Sequence, residues 1–277
     1  MRNREFYIKI DDRRTIRGEI SIPETDEPKP LLIILHGFKG YKDWGFLPTI
    51  HDKFADRFIV IRYDHSMNGA KNYSDSKLYD IDDFRRSTIS SQLEDLDLLI
   101  SKIQDESLVL KTSWNGEIYL CGHSMGAAIA IIYSNRSEFI KKLILLAPIA
   151  KFDRYSSRQK DEWKKNGYIE FLNNRNNQLL TIDYNFILDL EKNQEEYDLL
   201  QAISRSNSEI LIIHGEQDLT AKLAEAKALY KASNREKKRL EIIKQANHSF
   251  NVDKIGLTDN KFIDEVLNQI EAFLLES

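Results

Sequence analysis

Residues 117–135, EIYLCGHSMGAAIAIIYSN, constrain the fold of this chain more than any other stretch. A short apolar run, Ile118-Tyr119-Leu120-Cys121, passes through Gly122-His123-Ser124-Met125-Gly126 into an Ala/Ile-rich segment of helical character. This is Gly-x-Ser-x-Gly set between a strand and a helix, a turn sharp enough to lift a serine hydroxyl clear of the sheet. Small residues must flank the serine, because a β-carbon at 122 or 126 would collide with neighbouring backbone. The Ser124 hydroxyl then stands at a helix N-terminus, where the dipole and free N–H groups favour developing negative charge. A bare five-residue match means little by itself. A base, an acid and an oxyanion loop in the right order decide what it is.

The rest of the chain supplies the frame for such a turn. Residues 5–11 and 16–22 read as an antiparallel hairpin around Asp12-Arg13-Arg14, closed by a charged linker, 23–30, with three prolines. LLIILHG (31–37) and FIVIRYD (58–64) are apolar runs of the kind buried on both faces of a sheet, with a helical pattern at 46–57 between them. A polar loop, 65–82, precedes one periodic helix from about 84 to 103. After the elbow come a strand at 141–150, a strand at 209–215, a helix around 220–232, a strand at 239–245 and an amphipathic helix from about 260 to 275. Eight strands alternating with helices predict an α/β fold, a mostly parallel eight-stranded sheet flanked by helices. Residues 151–208 break the pattern, with Trp163, Tyr168, Phe171, Tyr184, Phe186 and Tyr197 scattered among polar residues. They are expected to form a cap insertion of short helices or a small hairpin over a core made of 1–150 and 209–277.

Composition narrows the function classes. A chain of 277 residues supports one large domain. A net charge of -4 argues against a nucleic-acid partner, since phosphate-backbone binders carry a basic surface. No run approaches the roughly 18 apolar residues of a membrane span. The N-terminus, alternating charge and apolar residues, lacks the apolar core of a secretory signal, so a cytoplasmic protein is expected. The single cysteine, Cys121, excludes an internal disulfide and reads as a small core residue of the elbow strand. The six histidines show no metal-ligand spacing, and no metal or other cofactor is expected.

A serine hydroxyl needs a base within hydrogen-bond reach, and in doubly wound sheets functional groups gather on loops beyond the carboxyl ends of the strands. The last strand leads directly to Ala246-Asn247-His248, which makes His248 the base. The preceding strand leads to Glu216-Gln217-Asp218. Asp218 is the preferred acid, with Glu216 its rival two residues away. An oxyanion hole needs two preorganised N–H donors. They are expected from the backbone of Met125, after the nucleophile, and of Phe38, in the His36-Gly37-Phe38 loop where glycine permits close approach. His36, His65 and Asn68 are read as structural supports of that loop and His123 as locally packed. His51 and His214, which belong to no motif, are read as surface and strand-end residues.

In these motifs, and in the order Ser…Asp…His, the sequence resembles the α/β-hydrolase superfamily over most of its length. HGFKGYKDWG (36–45), RYDHSMNG (62–69), the insertion after Pro148, HGEQD and ANHSF resemble the bacterial esterase branch. That branch includes cinnamoyl (feruloyl) esterases and prolyl-oligopeptidase-like hydrolase domains. The resemblance implies a serine hydrolase of small-molecule carboxylic esters that works through an acyl-enzyme, with the insertion shaping its pocket. An exopeptidase or amidase, or a thioesterase, would use the same triad. From another class stands a non-catalytic ligand-binding protein on a hydrolase fold. The substrate-binding residues are not readable, and the apolar terminal helix suits a homodimer interface as well as a core.

Overall fold

The computed structural model describes residues 2–70, 80–173 and 177–276. In chain order the elements are β1 (Arg2–Lys9), β2 (Thr15–Ile22), β3 (Lys29–Leu35), α1 (Leu47–Phe54), β4 (Ile59–Asp64), α2 (Ile81–Phe84), α3 (Ile89–Gln104), β5 (Trp114–His123), α4 (Met125–Tyr133) and β6 (Ile140–Leu146). There follow α5 (Ser157–Asn166), β7 (Tyr168–Asn173), β8 (Gln178–Asp183), α6 (Asn185–Lys192), α7 (Leu199–Arg205), β9 (Glu209–Gly215), α8 (Leu223–Ala232), β10 (Lys238–Ile243), α9 (Val252–Ile255) and α10 (Lys261–Leu275).

Eight strands form one sheet in the order β1-β2-β4-β3-β5-β6-β9-β10, the α/β-hydrolase fold that the elbow and the strand–helix alternation predict. β1 and β2 pair antiparallel with each other, and β2 pairs antiparallel with β4. From β4 through β10 every pairing is parallel. Parallel strands need helices on both faces, and the side chains divide accordingly. Along β3, Leu31, Ile33 and Leu35 enter one apolar cluster with α3, α4 and α8. Leu32 and Ile34 enter the other, with α1 and α10. α10 thus lays its apolar stripe (Ile263, Val266, Leu267, Ile270, Phe273 and Leu274) against the core. Every residue of α4 is buried, as a helix that is apolar all round must be.

Some boundaries differ from the sequence reading, for local reasons. The single helix expected from about 84 to 103 is two. The first ends at Phe84, and Thr88 caps the second, its hydroxyl accepting from Ser91 N–H while the Ser91 hydroxyl accepts from Thr88 N–H. The elbow strand starts at Trp114 rather than Ile118, and β6 ends at Leu146 rather than 150. His51, expected at the surface, is fully buried, with Nε2 3.1 Å from the Ser21 hydroxyl and Nδ1 3.0 Å from Asp52. The part of the 65–82 loop at 71–79 lies outside the described residues.

The segment 151–208 holds α5, the antiparallel hairpin β7–β8, α6 and α7. Trp163 anchors the first part. It is buried, donates Nε1–H to the Ile182 carbonyl at 2.9 Å and stacks on Phe186. Phe152, Trp163, Leu180, Ile182 and Phe186 join the same apolar cluster as α3 and α4, so this segment shares the main core. α7 packs directly against α4 and α8. Among the described residues no helix is long and apolar enough to cross a membrane.

Candidate active site

The end of β5 fixes the first functional side chain. Ser124 has φ 55° and ψ -114°, a conformation rare for a residue with a side chain, and it opens directly into α4. Its N–H is held by the Leu146 carbonyl at 2.8 Å. The two glycines are there for the reason foreseen. A β-carbon on Gly122 would come within 2.4 Å of the Gly126 carbonyl, and one on Gly126 within 2.5 Å of the Leu35 carbonyl oxygen. A strained backbone persists only where the surroundings over-determine it, and here the strand, the helix and the β3 exit all touch.

Asp218 and His248 follow the two neighbouring parallel strands β9 and β10, so they leave the sheet side by side. The Nδ1–H of His248 donates to Asp218 Oδ2 at 2.7 Å. Asp218 is buried, and its other oxygen accepts the N–H groups of Thr220 (2.8 Å) and Ala221 (2.9 Å). Burial alone would raise its pKa; the His248 imidazole and the two backbone donors outweigh this and hold it below the ordinary carboxylate range. Glu216, the rival acid, is exposed and accepts from Gln245 N–H instead.

The loop that carries His248 is tied down on both sides. The Asn247 side-chain oxygen accepts from the N–H groups of Ser249 (3.0 Å) and Asn251 (2.7 Å). His123, the residue before Ser124, places Nε2 3.0 Å from the His248 carbonyl and stacks on Trp44, with Phe46 at its edge. Elbow and base loop are therefore in direct contact, and the His123 ring is the joint between them.

The loop after β3 lies against the serine. A β-carbon on Gly37 would sit 3.0 Å from the His123 carbonyl oxygen and 3.1 Å from Ser124 Cβ. His36 Nδ1–H donates to the Gly37 carbonyl at 3.0 Å. The Asn68 amide spans His36 Nε2 (3.3 Å) and Asp64 (3.1 Å), and Lys42 N–H also donates to Asp64. Burial lowers the His36 pKa, so this ring serves as a neutral brace. His36 and Asn68 thus hold the loop as expected, whereas His65 contributes its main-chain N–H and an edge contact on the His36 ring.

Phe38 and Met125, expected to supply the oxyanion donors, line a cavity of about 260 Å³ together with Ser124. Met125 is the first residue of α4, where N–H groups have no intrahelical partner. Ile149, Phe152, Arg154, Tyr155, Phe171, Ile182, Phe186 and Thr220 complete the wall. Phe171 and Phe186 stood among the suspected aromatics, but the others carry no motif. They come from the exit of β6, the hairpin and the Asp218 loop, which only the folded chain brings together. Arg154 is the charged member, bound to Glu225 (2.8 Å) and the Thr220 carbonyl (2.8 Å).

Sequence reasoning also passed over His214. It stands near the end of β9 as read, but fully buried, with Nε2 2.8 Å from the Ala221 carbonyl and 3.3 Å from Asp218 Oδ2. Its position at the exit of β9, four residues before the acid, was the available signal. Cys121 is buried in β5, and burial pushes its thiol well above the ordinary range, as suits a core residue. Among the described residues no group of His, Cys, Asp or Glu is arranged to hold a metal ion.

No curated protein sequence matches the chain significantly. Solved structures do. Est1E from Butyrivibrio proteoclasticus superposes with a TM-score of 0.66 at 17% identity, covering 98% of this chain and 99% of that one. The same protein with ferulic acid bound gives 0.68 at 16% identity, covering 98% and 100%. A monoacylglycerol lipase from Paleococcus ferrophilus gives 0.64 at 14% identity over 92% of this chain and 99% of that one. These likenesses establish the fold. The model of the family described as serine aminopeptidase, S33 (Hydrolase_4) matches residues 26–254, from the approach to β3 to beyond the His248 loop, and the chain belongs to that family of α/β hydrolases.

Proposed function

We propose that the protein is a serine carboxylic-ester hydrolase acting on small-molecule esters, with Ser124 as nucleophile, His248 as base and Asp218 as its orienting acid. The observation that carries this reading is the buried 2.7 Å bond between His248 Nδ1 and Asp218, on a loop that touches the Ser124 elbow. That bond fixes the imidazole tautomer, leaving Nε2 as the proton acceptor. Ser124 Oγ attacks the acyl carbon while His248 takes its proton. The oxyanion is met by the N–H groups of Phe38 and Met125. His248 then protonates the departing alcohol, and a water deprotonated by His248 cleaves the acyl-enzyme to the acid. No step calls on a cofactor.

The aromatic and aliphatic wall of the cavity suits an apolar acyl group, and its flat side chains suit a planar cinnamoyl or feruloyl group such as the ferulic acid found in Est1E. The family description makes an aminopeptidase the natural rival. A protonated α-amine would need a carboxylate near the serine, and among the described residues no acidic residue lines the cavity. Its charged member is cationic, which disfavours that substrate.

The test is turnover of p-nitrophenyl esters of increasing acyl length, methyl ferulate and an aminoacyl anilide, by the wild type and by Ser124→Ala, Asp218→Ala and His248→Ala. Ester turnover that Ser124→Ala abolishes and Asp218→Ala lowers by about 10⁴ is expected. Turnover of the anilide alone would transfer the site to peptides. No turnover, with Ser124 unlabelled by a fluorophosphonate, would leave a binding protein on a hydrolase fold.

A further inference from the structure

Resting on the triad just proposed, we infer that His214 is a positioning residue for the acid, its Nε2–H holding the Ala221 carbonyl of the Asp218 loop while its dipole lies beside the Asp218 oxygen that holds His248. The geometry sets the tautomer. His214 Nε2 faces two acceptors, the Ala221 carbonyl at 2.8 Å and Asp218 Oδ2 at 3.3 Å, so the proton resides on Nε2. Among the described residues the buried Nδ1 has no partner, which marks it as the unprotonated nitrogen of a neutral ring. Burial lowers the His214 pKa, consistent with a neutral dipole beside the carboxylate rather than a competing cation.

The carboxylate then has three N–H donors, with the His214 dipole beside them. Oδ1 takes Thr220 and Ala221; Oδ2 takes His248 and has His214 Nε2 at 3.3 Å. The two backbone donors and His214 are fixed, whereas the His248 ring must take up and release a proton in every cycle. Without His214, the Ala221 carbonyl would lose its donor and the Oδ2 charge, with no dipole beside it, would press harder on the imidazolium. A merely space-filling side chain would not be histidine. An unpaired buried nitrogen is unfavourable, and an apolar residue of similar shape would avoid it. The backbone holds the arrangement in register, since a β-carbon on the next residue, Gly215, would lie 2.5 Å from the carbonyl oxygens of both Ala246 and Asn247. The acid strand is thus flush against the base loop. The titratable and charged groups facing His214 are Asp218, His248 and Glu225 of α8, the last paired with Arg154.

The test compares His214→Gln, whose amide nitrogen can replace Nε2–H, with His214→Met, of similar shape and no donor, beside the wild type and Ser124→Ala. Thermal melts accompany the pH profiles of kcat/KM on one p-nitrophenyl ester. Gln should stay within about threefold of the wild type in kcat, whereas Met should lose between about 10- and 100-fold in kcat with KM little changed. The acid limb of the Met profile should move to higher pH, because a carboxylate without the neighbouring N–H dipole holds the imidazolium more tightly. Equal kcat in the two variants, or a Met loss with an unmoved acid limb, would overturn the inference and reduce His214 to packing. If Met does not fold, a Gln variant that folds but has lost activity as far as a His214→Asn control would overturn it equally. Activity surviving in Ser124→Ala would instead refute the triad, and this inference with it.

Discussion

Gly126→Ala is the sharpest test of how the elbow is built. The new β-carbon would meet the Leu35 carbonyl oxygen at 2.5 Å and the His36 carbonyl oxygen at 2.6 Å. Ordinary contact lies near 3.5 Å, so α4 must retreat from the β3 exit by about 1 Å. Neither neighbour is a flexible side-chain tip that can swing away; both are backbone at the start of the oxyanion loop. α4 is buried at every position, and its retreat disturbs packing on all sides. Overpacking of this kind costs about 1–3 kcal/mol, more when backbone must yield. The catalytic loss should be larger in proportion. The same shift parts the Met125 N–H from the Phe38 N–H, and a displacement near 1 Å costs about 10² in rate. Gly116→Ala is the matched control. It has φ 92° but nothing within 4 Å of the added carbon, and it sits near the far end of β5. It should lose about 1–2 kcal/mol from backbone strain alone, lowering Tm by a few degrees with kcat unchanged. Urea melts and kcat on a short p-nitrophenyl ester read both variants. Gly126→Ala with near-wild-type kcat would refute the claim that close approach of α4 to the β3 loop sets the oxyanion geometry.

The cavity wall and the pH response give two more expectations. Phe171 lies edge-on to Phe38, ring centroids 5.4 Å apart, and Phe171→Ala should turn preference toward longer or bulkier acyl groups by about 10- to 100-fold in relative kcat/KM. A ratio unchanged across an acyl-length series would remove Phe171 from the specificity wall. Asp95 is buried beneath the 65–70 loop, accepting from Ser66 N–H (2.6 Å), the Ser66 hydroxyl (2.7 Å) and Arg14 (3.0 Å), yet burial outweighs these and raises its pKa to about 6. A carboxyl whose folded pKa exceeds its unfolded value binds protons more tightly when folded, so its contribution to stability falls as pH rises from about 4 to 6. Asp95→Asn lacks this term. Its stability relative to wild type should improve by about 3 kcal/mol between pH 4 and 7, read from urea melts at each end. A difference independent of pH would mean that Asp95 ionises like an exposed carboxyl.

The legible parts of the fold are those with continuous apolar pattern. β3, β4 and β9 are buried along almost their whole length, so their sequences carry no competing signal. The first half of β5 is hidden because Trp114–Glu117 are only partly covered and read as polar turn. The α2–α3 break was hidden for the opposite reason. Apolar periodicity runs across it, and only the Thr88–Ser91 cap marks the stop. His214 escaped because its meaning depends on depth, and sequence alone does not say how far the exit of β9 is covered.

The reacting groups and the specificity wall differ in legibility for a topological reason. Once six strands are parallel, their carboxyl ends share one edge, and the loops after β3, β5, β9 and β10 must gather there. Asp218 and His248 are 30 residues apart, but β9 and β10 are hydrogen-bonded neighbours, so strand order brings them together without any detail of packing. The cavity has no such guarantee. Its wall is set by where the hairpin and α6 settle on the sheet, through contacts such as Phe38 with Phe171 and Trp163 with Phe186. Those contacts join segments more than a hundred residues apart in one case and parts of the 151–208 segment in the other, and no local pattern encodes either. Changes in the hairpin can therefore redirect the choice of acyl group while the loops that carry the chemistry stay fixed by the sheet. That is why candidates for the elbow, acid and base can be read from the sequence and the substrate cannot.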